Sequence, residues 1–126
     1  MRGLLLRPDG DAEVVEGDWA SPFAIGELIE AEYVQAELLQ RSCSTCPDLA
    51  IWVNGDPDVT NETAVVNMAA SRMANLVVLG KALIIGLADR GVAWEYADLD
   101  PDELLRLAAR VVLAEHNIQL KEGQSE

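Results

Sequence analysis

Residues 8–40 carry nine carboxylates (Asp9, Asp11, Glu13, Glu16, Asp18, Glu27, Glu30, Glu32 and Glu37) and neither a lysine nor an arginine. Acid without counter-charge usually marks solvated disorder, because such a segment buries too little apolar surface to offset its ordering entropy. Here the acids are interleaved with apolar residues at regular spacing, which is the pattern of a folded segment. An unpaired carboxylate cannot be buried cheaply, so the stretch has to fold with its acids outward. It therefore reads as a hairpin followed by a helix, each with one side available for packing.

The hairpin comes from two strand-like runs, Leu4-Leu5-Leu6 and Asp11-Ala12-Glu13-Val14-Val15-Glu16, on either side of Asp9-Gly10. Both turn residues tolerate positive φ, which predicts a two-residue type I′ turn. Ser21-Pro22 then reads as an N-cap and first helical residue. The spacing of Ile25, Leu28, Ile29, Ala36 and Leu39 predicts one helix running to about Arg41. On that helix Glu27, Glu30 and Glu37 share the outer side. Glu32 falls within the apolar stripe, and Val34 with Leu38 interrupts the acidic face.

Leu49-Ala50-Ile51-Trp52-Val53 reads as a short buried strand, stopped by Asn54-Gly55-Asp56-Pro57. A second helix is expected from about Thr60–Glu62, with Ala64, Val65, Met68, Ala69 and Met73 inward. Residues 76–87 are the most hydrophobic run, interrupted by Gly80 and Gly86. Gly80-Lys81 reads either as a bulge within one strand or, the preferred reading, as a turn between two. Val92-Ala93-Trp94-Glu95-Tyr96 suggests an edge strand. Asp100-Pro101-Asp102-Glu103 has the form of a capping box, ahead of Leu104, Leu107, Ala108, Val111 and Val112 on a third helical face. The order of elements predicts an α+β fold: an N-terminal β-hairpin and a mixed or antiparallel sheet, with about three helices packed mostly on one face. Residues 1–118 read as a single domain and 119–126 as a frayed tail.

A chain of 126 residues, half of them hydrophobic, is large enough to bury roughly two-thirds of its unfolded surface despite a net charge of -13. The charge argues against direct nucleic-acid binding and against docking on anionic lipid, both of which require clustered Lys and Arg. No apolar run is long enough to span a bilayer, and the short apolar start is unlike a signal peptide. A cytoplasmic location is expected.

Leu4-Leu5-Leu6-Arg7-Pro8-Asp9-Gly10, Asn61-Glu62-Thr63-Ala64 and Val77-Val78-Leu79-Gly80-Lys81-Ala82-Leu83-Ile84-Ile85-Gly86 resemble a family of small phage and actinobacterial proteins defined only as a domain of unknown function. The resemblance covers the chain from Leu4 to about Gly86, with a C-terminal helix in a similar place. It implies a phage or plasmid accessory product acting in the cytoplasm of a bacterial host, and brings no catalytic, cofactor or binding residues with it.

The candidate chemistry is sparse. Cys43-Ser44-Thr45-Cys46 has metal-ligand spacing, but a structural zinc site needs four ligands and the chain has one histidine. Ordinary loop cysteines are the plainer reading, with Cys43 and Cys46 as weak metal candidates. His116 suits the last turn of a helix through the macrodipole. Asp98, Asp100, Asp102 and Glu103 read as capping rather than as a cation site. Glu32, if desolvated in the apolar stripe, would have a raised pKa and could act as a functional carboxylate; otherwise it reaches water from the stripe's rim. No cofactor and no catalysis are expected. The favoured expectation is an interaction surface made of Asp9, Asp11, Glu13, Glu27, Glu30, Val34, Glu37 and Leu38, contacting a host protein or a second copy of the chain. A DNA mimic that blocks a DNA-binding enzyme is the alternative, and a small metal protein or enzyme using Cys43 and Cys46 a further one.

Overall fold

The computed structural model describes residues 1–39, 48–55, 65–88 and 95–111. The readings made for Cys43 and Cys46, for residues 56–64, for residues 92–94, for Val112 and His116, and for the tail lie outside them. The elements are β1 (Arg2–Leu6), β2 (Ala12–Glu16), α1 (Pro22–Ile29), β3 (Val34–Leu39), β4 (Asp48–Asn54), α2 (Met68–Ala74), β5 (Ala82–Ala88) and β6 (Glu95–Ala97). A last helix, α3, occupies residues 101–111.

The expected α+β fold is found. Every strand pairing is antiparallel, in the order β2-β1-β5-β4-β3, and β6 pairs with the far half of β5. The three central strands are apolar on both sides, so they are buried on both sides. Leu4, Ile84 and Ile51 stand opposite one another in one row across the sheet, and Leu5, Leu83 and Trp52 form the matching row on the other face. The first row packs with Ala69 and Ala70 of α2 and with Leu104, Leu107 and Val111 of α3. The second packs with Ile25 and Ile29 of α1 and with Trp19. Two helices thus share one face, and the third covers the other.

The hairpin forms, but not around a two-residue turn. Gly10 N–H donates to Arg7 C=O (3.1 Å) and Arg7 N–H to Asp11 C=O (2.8 Å), which closes a three-residue loop of Pro8, Asp9 and Gly10. Only Gly10 has positive φ, at 96°, as a G1-bulge hairpin requires. Pro8, with φ already set, fits the first corner position.

The long first helix is wrong in its second half. Ser21 caps α1 by accepting from Ala24 N–H (3.3 Å), but the helix ends at Ile29. Glu30 adopts the left-handed conformation (φ 59°), and the N–H groups of Glu30 and Ala31 both point back to Gly26 C=O. This is the αL closure of a helix terminus, carried by a glutamate where glycine is usual. Gly26 has no room for a side chain, since a Cβ there would lie 2.8 Å from Ala31 O. The chain then turns into β3. Ala36 and Leu39, expected on one helical face, therefore lie on opposite sides of a strand.

The second helix also starts later than expected. Residues 65–67 are extended and pair with 78–80: Val66 bridges Leu79, Asn67 N–H donates to Val78 C=O, and Gly80 N–H donates to Val65 C=O. Val65 and Met68 are exposed rather than inward, whereas Ala69 is buried and Met73 packs against the core. The same pairing replaces the expected two-strand reading of the run around Gly80-Lys81. Only β5 belongs to the sheet, and Gly80 (φ 76°) redirects the chain into it. A Cβ on Gly80 would meet nothing within 4 Å, so its backbone conformation, not space, favours glycine.

Candidate interaction surface

The predicted surface is not one surface. Among the described strands β2 and β3 are opposite edges of the sheet, separated by three strands, or about 19 Å at ordinary strand spacing. Asp9, Asp11 and Glu13 are exposed at the hairpin edge, joined there by exposed Glu16 and Asp18. Glu27 and Glu30 are exposed on α1, on one face of the sheet. Glu37 lies on β3 opposite Ile51, and so faces the side covered by α2 and α3. Val34 and Leu38 lie on the α1 side, with Val34 packed against the core there and Leu38 60% exposed. Glu32 is exposed in the turn before β3 and is not in an apolar stripe, because the helix that would have held it there has already ended.

Cations from outside the acidic segment reach into it. Arg7 pairs with Glu13, and Lys81 Nζ lies 2.8 Å from Glu30 Oε2. The hydrogen bond from Lys81, reinforced by its charge, holds the Glu30 carboxyl below the usual carboxylate range. At the other end of the sheet, Asp98 Oδ1 accepts the Arg2 backbone N–H (2.6 Å), and Asp98 Oδ2 accepts from the guanidinium (2.9 Å). Those bonds, side chain first and backbone second, hold the Asp98 carboxyl at about 2, against an ordinary 3.8. A depressed carboxyl stabilises the fold above its unfolded value, and that contribution is lost as the pH falls through its folded value. Acid unfolding of the wild type between about pH 4 and 2 should therefore carry a component that Asp98→Asn lacks. Thermal unfolding followed by circular dichroism across that window checks it.

Asp100 and Glu103, just after Asp98 in the chain, are structural partners of one another. Asp100 Oδ1 accepts from Glu103 N–H (2.9 Å) and Glu103 Oε2 from Asp100 N–H (3.3 Å), the reciprocal capping box that the spacing predicts. Among the described residues no three His, Cys, Asp or Glu side chains gather as a metal site would require. No described helix is long and apolar enough to cross a membrane.

One polar residue that sequence reasoning passed over makes three side-chain hydrogen bonds from a buried position. Asn67, 1% exposed, caps α2 by accepting from Ala70 N–H (3.2 Å). Its amide donates to Leu6 C=O (3.1 Å) and Gly80 C=O (3.0 Å). One turn later Ser71 Oγ accepts from Val78 N–H (2.8 Å). An asparagine between Val65-Val66 and Met68-Ala69-Ala70 was the available signal: a capping residue at the switch from β-branched to helix-forming residues.

The chain matches no family model, no curated protein and no solved structure. At the β2 edge, Asp9, Asp11, Glu13, Glu16 and Asp18 are all exposed, on the strand and its two flanks.

Proposed function

We propose that this chain is a non-catalytic interaction protein, a phage-type accessory product of the bacterial cytoplasm that binds a host protein through its acidic β2 edge. The observation that carries this reading is the run of exposed acids Asp9, Asp11, Glu13, Glu16 and Asp18 on an ordered edge strand and its flanks. Ordered carboxylates of one sign project a field that recruits a cationic surface and accelerates its encounter. The phage-type element of the proposal rests on the resemblance at Leu4–Gly10 and around Gly80.

The test is affinity capture from bacterial lysate with the wild type and with the triple variant Asp9→Lys, Asp11→Lys, Glu16→Lys. A specific partner is expected on the wild type, released as salt rises and absent from the variant. Repeated captures that return no specific partner, or a partner held equally by both proteins, would overturn the proposal. A second reading, DNA mimicry, draws on the same run of exposed, closely spaced carboxylates from Asp9 to Asp18. Under that reading the captured partner is itself a DNA-binding protein, and duplex DNA displaces it.

A further inference from the structure

The β3 edge is built differently from the β2 edge, and we propose that it is the seat of a second copy of this chain, joined antiparallel across a two-fold axis at Ala36. The proposal is independent of the acidic edge and its partner.

The direction of the β3 backbone follows from one hydrogen bond. Gly55 N–H donates to Tyr33 C=O (2.9 Å), one register step beyond Val34 opposite Asn54. In an antiparallel pair, alternate residues direct both backbone groups at the neighbouring strand. Tyr33, Gln35, Glu37 and Leu39 therefore point at β4. Val34, Ala36 and Leu38 point their N–H and C=O away from the sheet. The same phase results when the alternation is counted across the sheet from the hairpin, where Arg7 N–H meets Asp11 C=O.

An edge of this kind invites another strand unless it is blunted by lysine, proline, a bulge or inward charge. β3 reads Val-Gln-Ala-Glu-Leu-Leu, without proline or cation, and pairs with β4 without a bulge over its whole length. β2 carries Glu13 and Glu16 between Asp11 and Asp18, so pairing it with a copy of itself would bring acids together. β3 holds one acid, and the two-fold at Ala36 handles it well. In that register Ala36 faces the partner's Ala36, Val34 faces the partner's Leu38, and Gln35 faces the partner's Glu37. All three outward residues exchange both backbone bonds. The exposed Leu38 gains an apolar neighbour. The Gln35 amide, which donates to Glu37 of its own strand, gains the partner's Glu37 as a second acceptor. Of the two neighbouring allowed registers, one sets Glu37 against the partner's Glu37 and the other sets Gln35 against the partner's Gln35, and neither keeps this complementarity.

The decisive measurement is residue-resolved amide exchange by NMR on the intact chain, run at high and low concentration beside light scattering. We expect twice the monomer mass, with the Val34, Ala36 and Leu38 amides slow to exchange when concentrated and fast on dilution. Association should strengthen with salt, because two strongly acidic chains repel; binding at the acidic β2 edge weakens with salt, which separates the two proposals. Ala36→Pro removes an outward N–H without touching the β3–β4 ladder and should give a monomer with an unchanged circular dichroism spectrum. Leu38→Glu should do the same without altering any backbone group. A monomer at the highest soluble concentration, a dimer that both variants leave intact, protection on β2 instead of β3, or an open-ended assembly would each overturn the proposal.

Discussion

Asn67→Asp is expected to remove more than about 4 kcal/mol of stability at neutral pH, although it changes a single amide into a carboxylate of the same shape. The aspartate keeps the acceptor that caps α2 at Ala70 N–H but loses both protons given to Leu6 C=O and Gly80 C=O. Two carbonyl oxygens at about 3 Å would then face a negative charge at a site 1% exposed. Leaving a buried polar group unsatisfied costs about 1–3 kcal/mol, and a charged group more. A total above about 4 kcal/mol is a large part of the 5–15 kcal/mol that holds a typical domain. The pH dependence identifies the cause. Burial beside carbonyl oxygens raises the folded pKa of the new carboxyl, so the penalty grows as the pH rises above the unfolded value and eases as it falls. Asn67→Asp should thus recover part of its stability between about pH 7 and 5, while Asn67→Ala, which loses both donated bonds and the cap as well but adds no charge, should not. Urea unfolding of both variants at the two pH values decides it; equal recovery in both would exclude the charge explanation.

The second large effect belongs to the middle of the sheet. Ile84 is fully buried on β5 between Leu4 and Ile51, beneath the face that α2 and α3 cover. Ile84→Ala should cost about 2–5 kcal/mol, through lost apolar transfer and the cavity left among rigid neighbours. Val14 continues the same row onto β2, where it is 52% exposed. Val14→Ala should stay within about 0.5 kcal/mol. A denaturation series on the two variants that failed to separate them would mean that the row is not the continuous core described.

The chain discloses its own fold unevenly, and the reasons are local. The central strands are legible because residues apolar on both sides can be only buried strand or buried helix, and Pro8, Gly10, Asn54 and Gly55 bound them too closely for helices. The third helix is legible down to its capping box, because Asp100 and Glu103 act within one turn. The first helix misleads because its terminator is Glu30, a residue with high helix propensity held left-handed by tertiary context. With that stop hidden, Val34-Gln35-Ala36-Glu37-Leu38-Leu39 continues the helical count as readily as it alternates. The error then spread to the candidate surface. Of the acids assigned to one helical face, Glu27 and Glu30 lie on α1 and at its end, and Glu37 lies on an edge strand facing the opposite side of the sheet. The junction at Asn67 was hidden for a different reason, since its partners Leu6 and Gly80 lie 61 and 13 residues away.

The position of β5 has a consequence for how the chain is made. It pairs with β1, β4 and β6, and every other strand joins the sheet through one of these. During synthesis β1 and β4, apolar on both faces, can form only their local pairs with β2 and β3 until residues 82–88 emerge. Until then two strand pairs have apolar faces without their central neighbour, and net charge of one sign, as the early segment carries, opposes association of such exposed faces. When β5 arrives it enters between them, and only then can β6 follow β1 along its edge and bring Asp98 to Arg2, 96 residues back.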